Sequence, residues 1–497
     1  MSALTLLRGL LLLTFPVGWY FSYSLVESQN LYYLLLTGVC TAATAVILVC
    51  LGKKFKRSIH FWIILLVCWA AYFLKFYILC YMKANQDTYS DFLELSYGKE
   101  SSLLELPELI ITYYELVTAV WLCFAMVMVY MTSLKKSYFL ETSHRSFAVR
   151  NRTVTYSMIA TVLFSIFMIS VQMALGLGIV SAGEGKTIEL PFRLAGIIMT
   201  VNIMVLPLIY LVLVWLADQA GSRKQFVFIT GAYLAYGLTS GLISTSREKF
   251  ITVALSLLVL WLITEKMSRQ RAIFLIALTP FIVLLNGLLS VNRILRSIYP
   301  DLDGLQLFYL AMTQYIAPVV STYSATQTDV QISAFLSTIL RVNGVDSLLH
   351  ILDYAPGFSW ERFLGLFFDG RSSAEMYATE ILELPQLIGV AFSPSLFGFF
   401  ILAFGQHLYL IVAAFTLYLL TWHLLFKWIT SFKLLIEPII LALMFVMLAR
   451  FTSEGTLESL PLSIIFLLFV AGVIEILVRR LVKYPRGVNQ PRAASPL

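Results

Sequence analysis

Residues 460–480 read LPLSIIFLLFVAGVIEILVRR, an apolar run that closes on Arg479 and Arg480. A helix needs about 20 predominantly apolar residues to cross a bilayer core about 30 Å thick. The stretch is therefore read as a membrane span with its basic end on the cytoplasmic side. Runs of the same kind begin near Leu4, Leu31, Phe61, Leu109, Thr153, Leu194, Phe226, Ile251, Ala272, Leu396 and Leu434. That makes about twelve spans in all. Composition agrees: of 497 residues, 59% are hydrophobic and only 13% charged, with a mean hydropathy of +0.84. Soluble domains carry about 45–50% apolar and about 25% charged residues. A soluble enzyme, a disordered chain and a disulfide scaffold are excluded, and the sequence predicts an all-α polytopic membrane protein.

The net charge of +7 is first a topology signal. Of the 35 Lys and Arg residues, 21 lie in the turns 53–57, 135–152, 223–224, 266–271 and 427–433 and in the tail from Arg479. The positive-inside rule places these turns, and both termini, in the cytoplasm. The intervening outside loops are short or acidic. Short basic clusters between apolar runs are not a nucleic-acid footprint, so no nucleic acid is expected as a partner. The first run lacks a basic region beyond Arg8 and a small-residue cleavage site, and is expected to be retained. No internal repeat is visible, which weighs against an inverted-repeat transporter. Cys40, Cys50, Cys68, Cys80 and Cys123 all lie inside apolar runs without metal or disulfide spacing, and read as small packing residues.

Residues 291–395 form a long outside segment between two spans. Helical patterns over 331–353 and 374–388 are broken by Pro300, Pro356, Gly357 and Gly370. A loop of this length without function is uncommon. It is expected to lie on the membrane surface as amphipathic helices over a cavity.

Ionisable residues at the membrane edge are where function is best sought. Five outside arginines stand out, against the orientation rule: Arg193, Arg247, Arg341, Arg371 and Arg450. A guanidinium stays charged and grips phosphate in a bidentate fork. Several converging at one leaflet suit a lipid-linked phosphate or pyrophosphate, although any single one is also accommodated by snorkelling or by a local acid. Arg247 stands out, because Lys249 and the hydroxyls of Ser244, Thr245 and Ser246 share its short turn.

Proton transfer is sought among the acids of the large loop: Asp346, Asp353, Glu361, Asp369, Glu375 and Glu380. Asp346 and His350 share one helical face, where a carboxylate orients the imidazole as a general base. Glu375, near Tyr377, is the alternative. An ordinary surface pair accounts for either arrangement equally well. Asp301 and Asp303 form a DxD, but behind Pro300 it reads better as a helix cap than as a metal site. Lys75 and Glu115 lie inside spans and are expected to face protein or pair across helices.

In this arrangement the chain resembles bacterial O-antigen and oligosaccharide repeat-unit polymerases, including the enterobacterial common antigen polymerase. Three stretches carry the resemblance: Thr245-Ser246-Arg247 ahead of an apolar span, GVAFSPSLFGFFILAFG over residues 389–405, and Ala449-Arg450 leading to Glu458. Arg193 takes the place of a basic residue before the family's corresponding span. Asp369-Gly370-Arg371 is similar to a Pro-Gly-Arg turn of some members.

The resemblance implies the shared polymerase and ligase architecture of C-type glycosyltransferases. Residues 1–290 would hold nine transmembrane helices, 291–395 the periplasmic loop, 396–478 three more helices and 479–497 a cytoplasmic tail. It implies glycosyl transfer on the outer face of the cytoplasmic membrane, without metal or cofactor, between oligosaccharide units on undecaprenyl pyrophosphate. A chain-length regulator and a flippase would be partners. Arg193 and Arg247, with Lys249, would hold pyrophosphate, and Arg341, Arg371 and Arg450 would add donors. The base would be His350 with Asp346, or Glu375. An O-antigen ligase, another polyprenyl-linked transferase and a lipid-linked oligosaccharide flippase are the competing readings.

On this reading Arg247→Ala is expected to abolish polymer formation while the protein still inserts at normal abundance. Arg247→Lys should recover little, because a point charge cannot reproduce the fork. An immunoblot beside a polymer gel checks both, and full activity of the alanine variant overturns the assignment.

Overall fold

The computed structural model describes residues 3–23, 25–26, 30–52, 58–85, 102–133, 148–149, 151–174, 198, 200–243, 247–264, 267–274, 277–278, 306, 309–310, 313, 344–354, 356–367, 372–383 and 393–483. Hydrocarbon offers no water to backbone amides, so apolar runs of this length satisfy themselves as helices. The first eight are α1 (Ala3–Ser22), α2 (Asn30–Gly52), α3 (Ile59–Ala84), α4 (Pro107–Ser133), α5 (Asn151–Ala174), α6 (Val201–Gln219), α7 (Arg223–Ile243) and α8 (Arg247–Ile263). The loop region contributes α9 (Val345–Tyr354), α10 (Trp360–Phe367) and α11 (Ser373–Met376), the last running on as a π-turn over Tyr377–Ile381. After it come α12 (Leu396–Phe404), α13 (Leu408–Ser431), α14 (Glu437–Glu454) and α15 (Leu460–Leu481). Among the described residues, seven helices are long and apolar enough to cross a membrane: α2 to α6, α13 and α15. The protein is an all-α membrane protein.

The core is organised around α14. One group, α1 to α4 with α13, packs through α3 and α13 on one side of it, and α5 to α8 packs through α6 and α8 on another. Residues Pro438 to Phe445 of α14 are all buried. Its N-terminus carries orphan amides that water cannot reach. Glu475 of α15 accepts from the backbone N–H of Leu435 at 2.9 Å and Ile436 at 3.0 Å, and Arg479 holds that carboxylate at 2.7 Å. A negative charge at a helix N-terminus is favourable, which explains an acid inside an apolar span.

Short links set which ends of the helices coincide. β1 (Ala148–Val149), just before α5, pairs antiparallel with β2 (Val482–Lys483), just after α15. Gln225 at the start of α7 donates to Thr155 at the start of α5, 2.8 Å away. Arg271 reaches Asp218 at the end of α6, 2.6 Å away, and lies over the rings of Phe226 and Trp261. The basic turns that flank α5, α6, α7 and α15 thus share one end of the bundle. α9 to α11 lie toward the other end, where Gly455 terminates α14, α7 ends and α8 begins.

The sequence reads one span from Leu396, and the structure divides that run. α12 has nine residues, about 14 Å of helix, and is buried from Leu396 to Ala403. Gly405 then adopts φ +68° and the chain turns into α13. A Cβ at Gly405 would run into the backbone of Gly357 and Phe358, so this turn is where the loop leans on the bundle. The described residues of the loop form short helical pieces. α9 covers the end of the 331–353 pattern and α11 with its π-turn covers the start of 374–388, the remainder of both patterns lying outside the described residues, and the sequence patterns do not include α10. α9 lies directly on α4 and α12, with Val345, Leu348, Leu349, Ile351 and Leu352 buried and Asp353 and Tyr354 exposed. The span expected from Ala272 falls mostly outside the described residues.

Gly455 has φ +70°, and a Cβ there would overlap the Ser395 carbonyl, whereas Gly221, at φ +69°, faces open space. Left-handed backbone costs a residue with a Cβ about 1–2 kcal/mol. Gly221→Ala is expected to lose about that much, and Gly455→Ala clearly more. Thermal unfolding of the purified variants in detergent compares them, and equal losses would refute the close approach.

Candidate functional site

At the end covered by the loop helices, the most buried charge is Lys75. It follows a π-turn in α3, Trp69–Leu74, and its side chain is 1% exposed. Its Nζ donates to Oδ1 of Asp346, 2.8 Å away, whose side chain is 25% exposed. Asp346 sits in the first turn of α9, where the helix dipole favours its charge. A lysine inside an apolar bundle demands an anion, and α9 supplies one from the loop.

The docking of α9 is steric as well as electrostatic. Gly344, just before the helix, lies so close to the Ala71 carbonyl of the π-turn that no Cβ fits between them. The π-turn itself is tied to its neighbours through Tyr72. Its carbonyl accepts from the Tyr113 hydroxyl of α4 at 2.6 Å. Its hydroxyl accepts from the backbone N–H of Phe397 in α12 at 3.1 Å, and its ring stacks on Phe397 at 4.1 Å. Gln406, after α12, donates to the Leu352 carbonyl of α9 at 3.0 Å. π-turns recur at functional sites because they displace side chains from the regular helical register. Here the turn places Lys75 under the loop.

The remaining loop helices are pinned by polar contacts at the same end. Arg362 of α10 pairs with Glu380 at 3.4 Å and donates to the Gly357 carbonyl at 3.1 Å. Glu458, between α14 and α15, accepts from both the backbone N–H and the hydroxyl of Ser373, at 3.0 and 2.9 Å, at the start of α11. Ser393 donates to the Glu454 carbonyl.

Several residues singled out in the sequence come to this end. Asp346 and His350 lie one turn apart on α9, both half-buried. The sequence pairs that carboxylate with His350 alone, and the structure engages it with Lys75. Glu375 is exposed on α11, next to the buried Met376 and Tyr377. Arg450, in the last turns of α14, pairs with Glu454 at 3.0 Å, the local acid that the sequence leaves as its alternative. Arg247 opens α8 at this end, with Lys249 half-buried in the same turn. The Arg247 side chain, like Arg193, Arg341, Arg371 and the DxD at Asp301, lies outside the described residues. Glu115 accepts from the Tyr32 hydroxyl of α2 at 2.7 Å, pairing across helices as expected. Sequence reasoning missed Arg362, Glu458 and the partner of Lys75. A lysine in a span signals that some acid must meet it, but not which loop acid the fold delivers.

The opposite end holds a different polar group. His60 of α3 and His423 of α13 meet with Nε2 and Nδ1 3.1 Å apart, and His423 lines a small, largely apolar cavity with Cys50, Phe61, Met128 and Met131. Among the described residues, no three His, Cys, Asp or Glu side chains gather as a metal site. The chain matches no protein-family model, no curated protein and no solved structure.

Breaking a buried ion pair from the more exposed side strands the more buried charge. Asp346→Asn is expected to cost about 3–5 kcal/mol, because it strips the carboxylate from a buried ammonium. Lys75→Met should cost less, because the Asp346 carboxylate still reaches water. The double variant Lys75→Met with Asp346→Leu should recover most of the loss. Unfolding midpoints in detergent measure all three, and a reversed order of the single variants would overturn the asymmetry.

Proposed function

We propose that this chain is a polymerase that joins undecaprenyl-pyrophosphate-linked oligosaccharide repeat units into a surface polysaccharide. The reaction would take place on the outer face of a bacterial cytoplasmic membrane, with both termini in the cytoplasm and about twelve spans. The observation that carries the reading is the grouping of charge by end. Among the described residues, Arg223, Lys224, Arg271 and Arg479 lie at one end of the bundle, while Arg247 opens α8 and Lys249 and Arg450 lie at the other, which carries Asp346 and His350 on α9 and Glu375 on α11.

The chemistry asked of that end is simple to balance. The bond between the donor's anomeric carbon and the pyrophosphate oxygen breaks, and the electron pair leaves with the lipid pyrophosphate. The acceptor hydroxyl forms the new bond to that carbon and gives its proton to a base. Negative charge grows on the leaving group, so cations aimed there stabilise the transition state more than the ground state. Arg247 and Arg193 take that role, with Lys249 beside them and Arg341, Arg371 and Arg450 as further donors. His350 oriented by Asp346, or Glu375, receives the proton. The polyprenyl tails lie along the lipid-facing helices. A chain-length regulator and a flippase act with it.

A flippase for lipid-linked oligosaccharide is the second reading. The buried pair of Lys75 and Asp346 favours it, because a charge inside the bundle is what a carrier of an anionic headgroup uses.

Purified protein in nanodiscs, given an undecaprenyl-pyrophosphate-linked repeat unit and excess chelator, is expected to build products that resolve as a length ladder on a gel. The ladder should vanish in Arg247→Ala. Folded wild type that yields no ladder over several repeat units overturns the polymerase in favour of the ligase or the flippase.

A further inference from the structure

We propose that α10 docks on the lipid leaflet at its end of the bundle, with Trp360, Leu364 and Phe367 inserted at the boundary between headgroups and acyl chains. At 3.6 residues per turn, Trp360, Phe363, Leu364 and Phe367 share one face of this helix. Gly365 and Leu366, on the opposite side, are buried. Phe363 is half-buried, whereas Trp360 is 67% exposed, Leu364 45% and Phe367 43%. Just ahead of the helix, Phe358 is exposed too, and its ring meets that of Trp360 at 5.0 Å. The other described loop helices turn their apolar residues inward. Val345, Leu348, Leu349, Ile351 and Leu352 of α9 are buried, as are Met376 and Tyr377 in α11 and its π-turn.

What covers this face follows from where it stands. α10 lies on α12, with Phe363 against Phe404 and Phe367 against Phe399, each at 5.7 Å. α12 turns at Gly405 into α13, which is long and apolar enough to cross a membrane. That same glycine sits against the backbone of Gly357 and Phe358, at the entrance to α10. Leu408 and Tyr409, in the first turn of α13, are exposed. The face of α10 therefore adjoins the place where a span enters the bilayer, and continues an apolar surface that already meets lipid. Large apolar side chains grouped on a surface mark a contact with something other than water. Tryptophan is enriched at the membrane–water interface, where its ring sits at the headgroup level. The polar residues of α10 complete an interfacial pattern. Arg362 turns back to Glu380 and to the Gly357 carbonyl, and Glu361 is exposed at the border of the apolar face. Such a helix lies in the membrane plane with its apolar face about 5–10 Å into the headgroup and acyl boundary. The loop helices are then held from two sides, α9 by protein and α10 by lipid.

The test uses full-length protein in phosphatidylcholine nanodiscs. The chain has nine tryptophans, so the emission of Trp360 is read as the difference between wild type and Trp360→Phe. In nanodiscs whose lipid is brominated near the top of the acyl chains, that signal is expected to lose most of its intensity. Bromine near the chain ends should quench it less, because the insertion is only about 5–10 Å deep. Iodide in the water should leave it nearly unchanged. A signal quenched by iodide but not by brominated lipid puts the face in water and overturns the proposal. A signal that neither quencher reaches means that protein covers the face, from a second copy or from the chain itself, and overturns it equally. A second variant, Leu364→Glu, places a carboxylate where hydrocarbon is expected, which is costly. It should lift Trp360 out, opening the indole to iodide and moving its emission to longer wavelength. Emission and quenching identical to wild type in that variant would also overturn the proposal. Both substituted side chains are exposed, so unchanged unfolding midpoints are expected for the two variants.

Discussion

A hydrocarbon layer contains no water to answer a charge or an amide, and each polar group inside the bundle has to find its partner within the chain. Glu475 can stand in an apolar span because two backbone amides and Arg479 surround its carboxylate. Lys75 can stand in α3 because Asp346 meets it. The first of these contacts builds the N-terminus of the central helix. The second brings the loop down onto the bundle. One physical demand therefore sets both the core and the cover.

That cover is assembled from short pieces held at different points. Ionic and hydrogen-bonded contacts reach α9 from α3, α10 from the Tyr377–Ile381 turn, and α11 from the segment between α14 and α15. Close backbone approaches at Gly344 and Gly405 allow α9 and the start of α10 to lie flush with the helices beneath. The described contacts hold these short helices against the bundle.

Of the candidate residues that type and spacing single out, Asp346, His350, Glu375, Lys249 and Arg450 are described and lie toward one end of the bundle. Pairings were not legible. Asp346 was read with its neighbour on the same helix, because helical spacing is visible in a sequence. Its bond to Lys75 joins residues 271 positions apart and follows only from how α9 lands on α3. Arg362 escaped notice for the same reason: its partner Glu380 lies on another helix.

The sequence by itself determined that the chain is helical and belongs in a membrane, because hydrophobic run length and backbone satisfaction are local properties. It also grouped the basic turns apart from the large loop, because charge bias is counted along the chain. Only the tertiary structure decided that the run from Leu396 is a short buried helix followed by a span. The break depends on what Gly405 touches, and Gly357 and Phe358 are distant in sequence. Only the tertiary structure decided which anion answers Lys75. Charges pair by distance in space, and that distance is set when all the helices have packed.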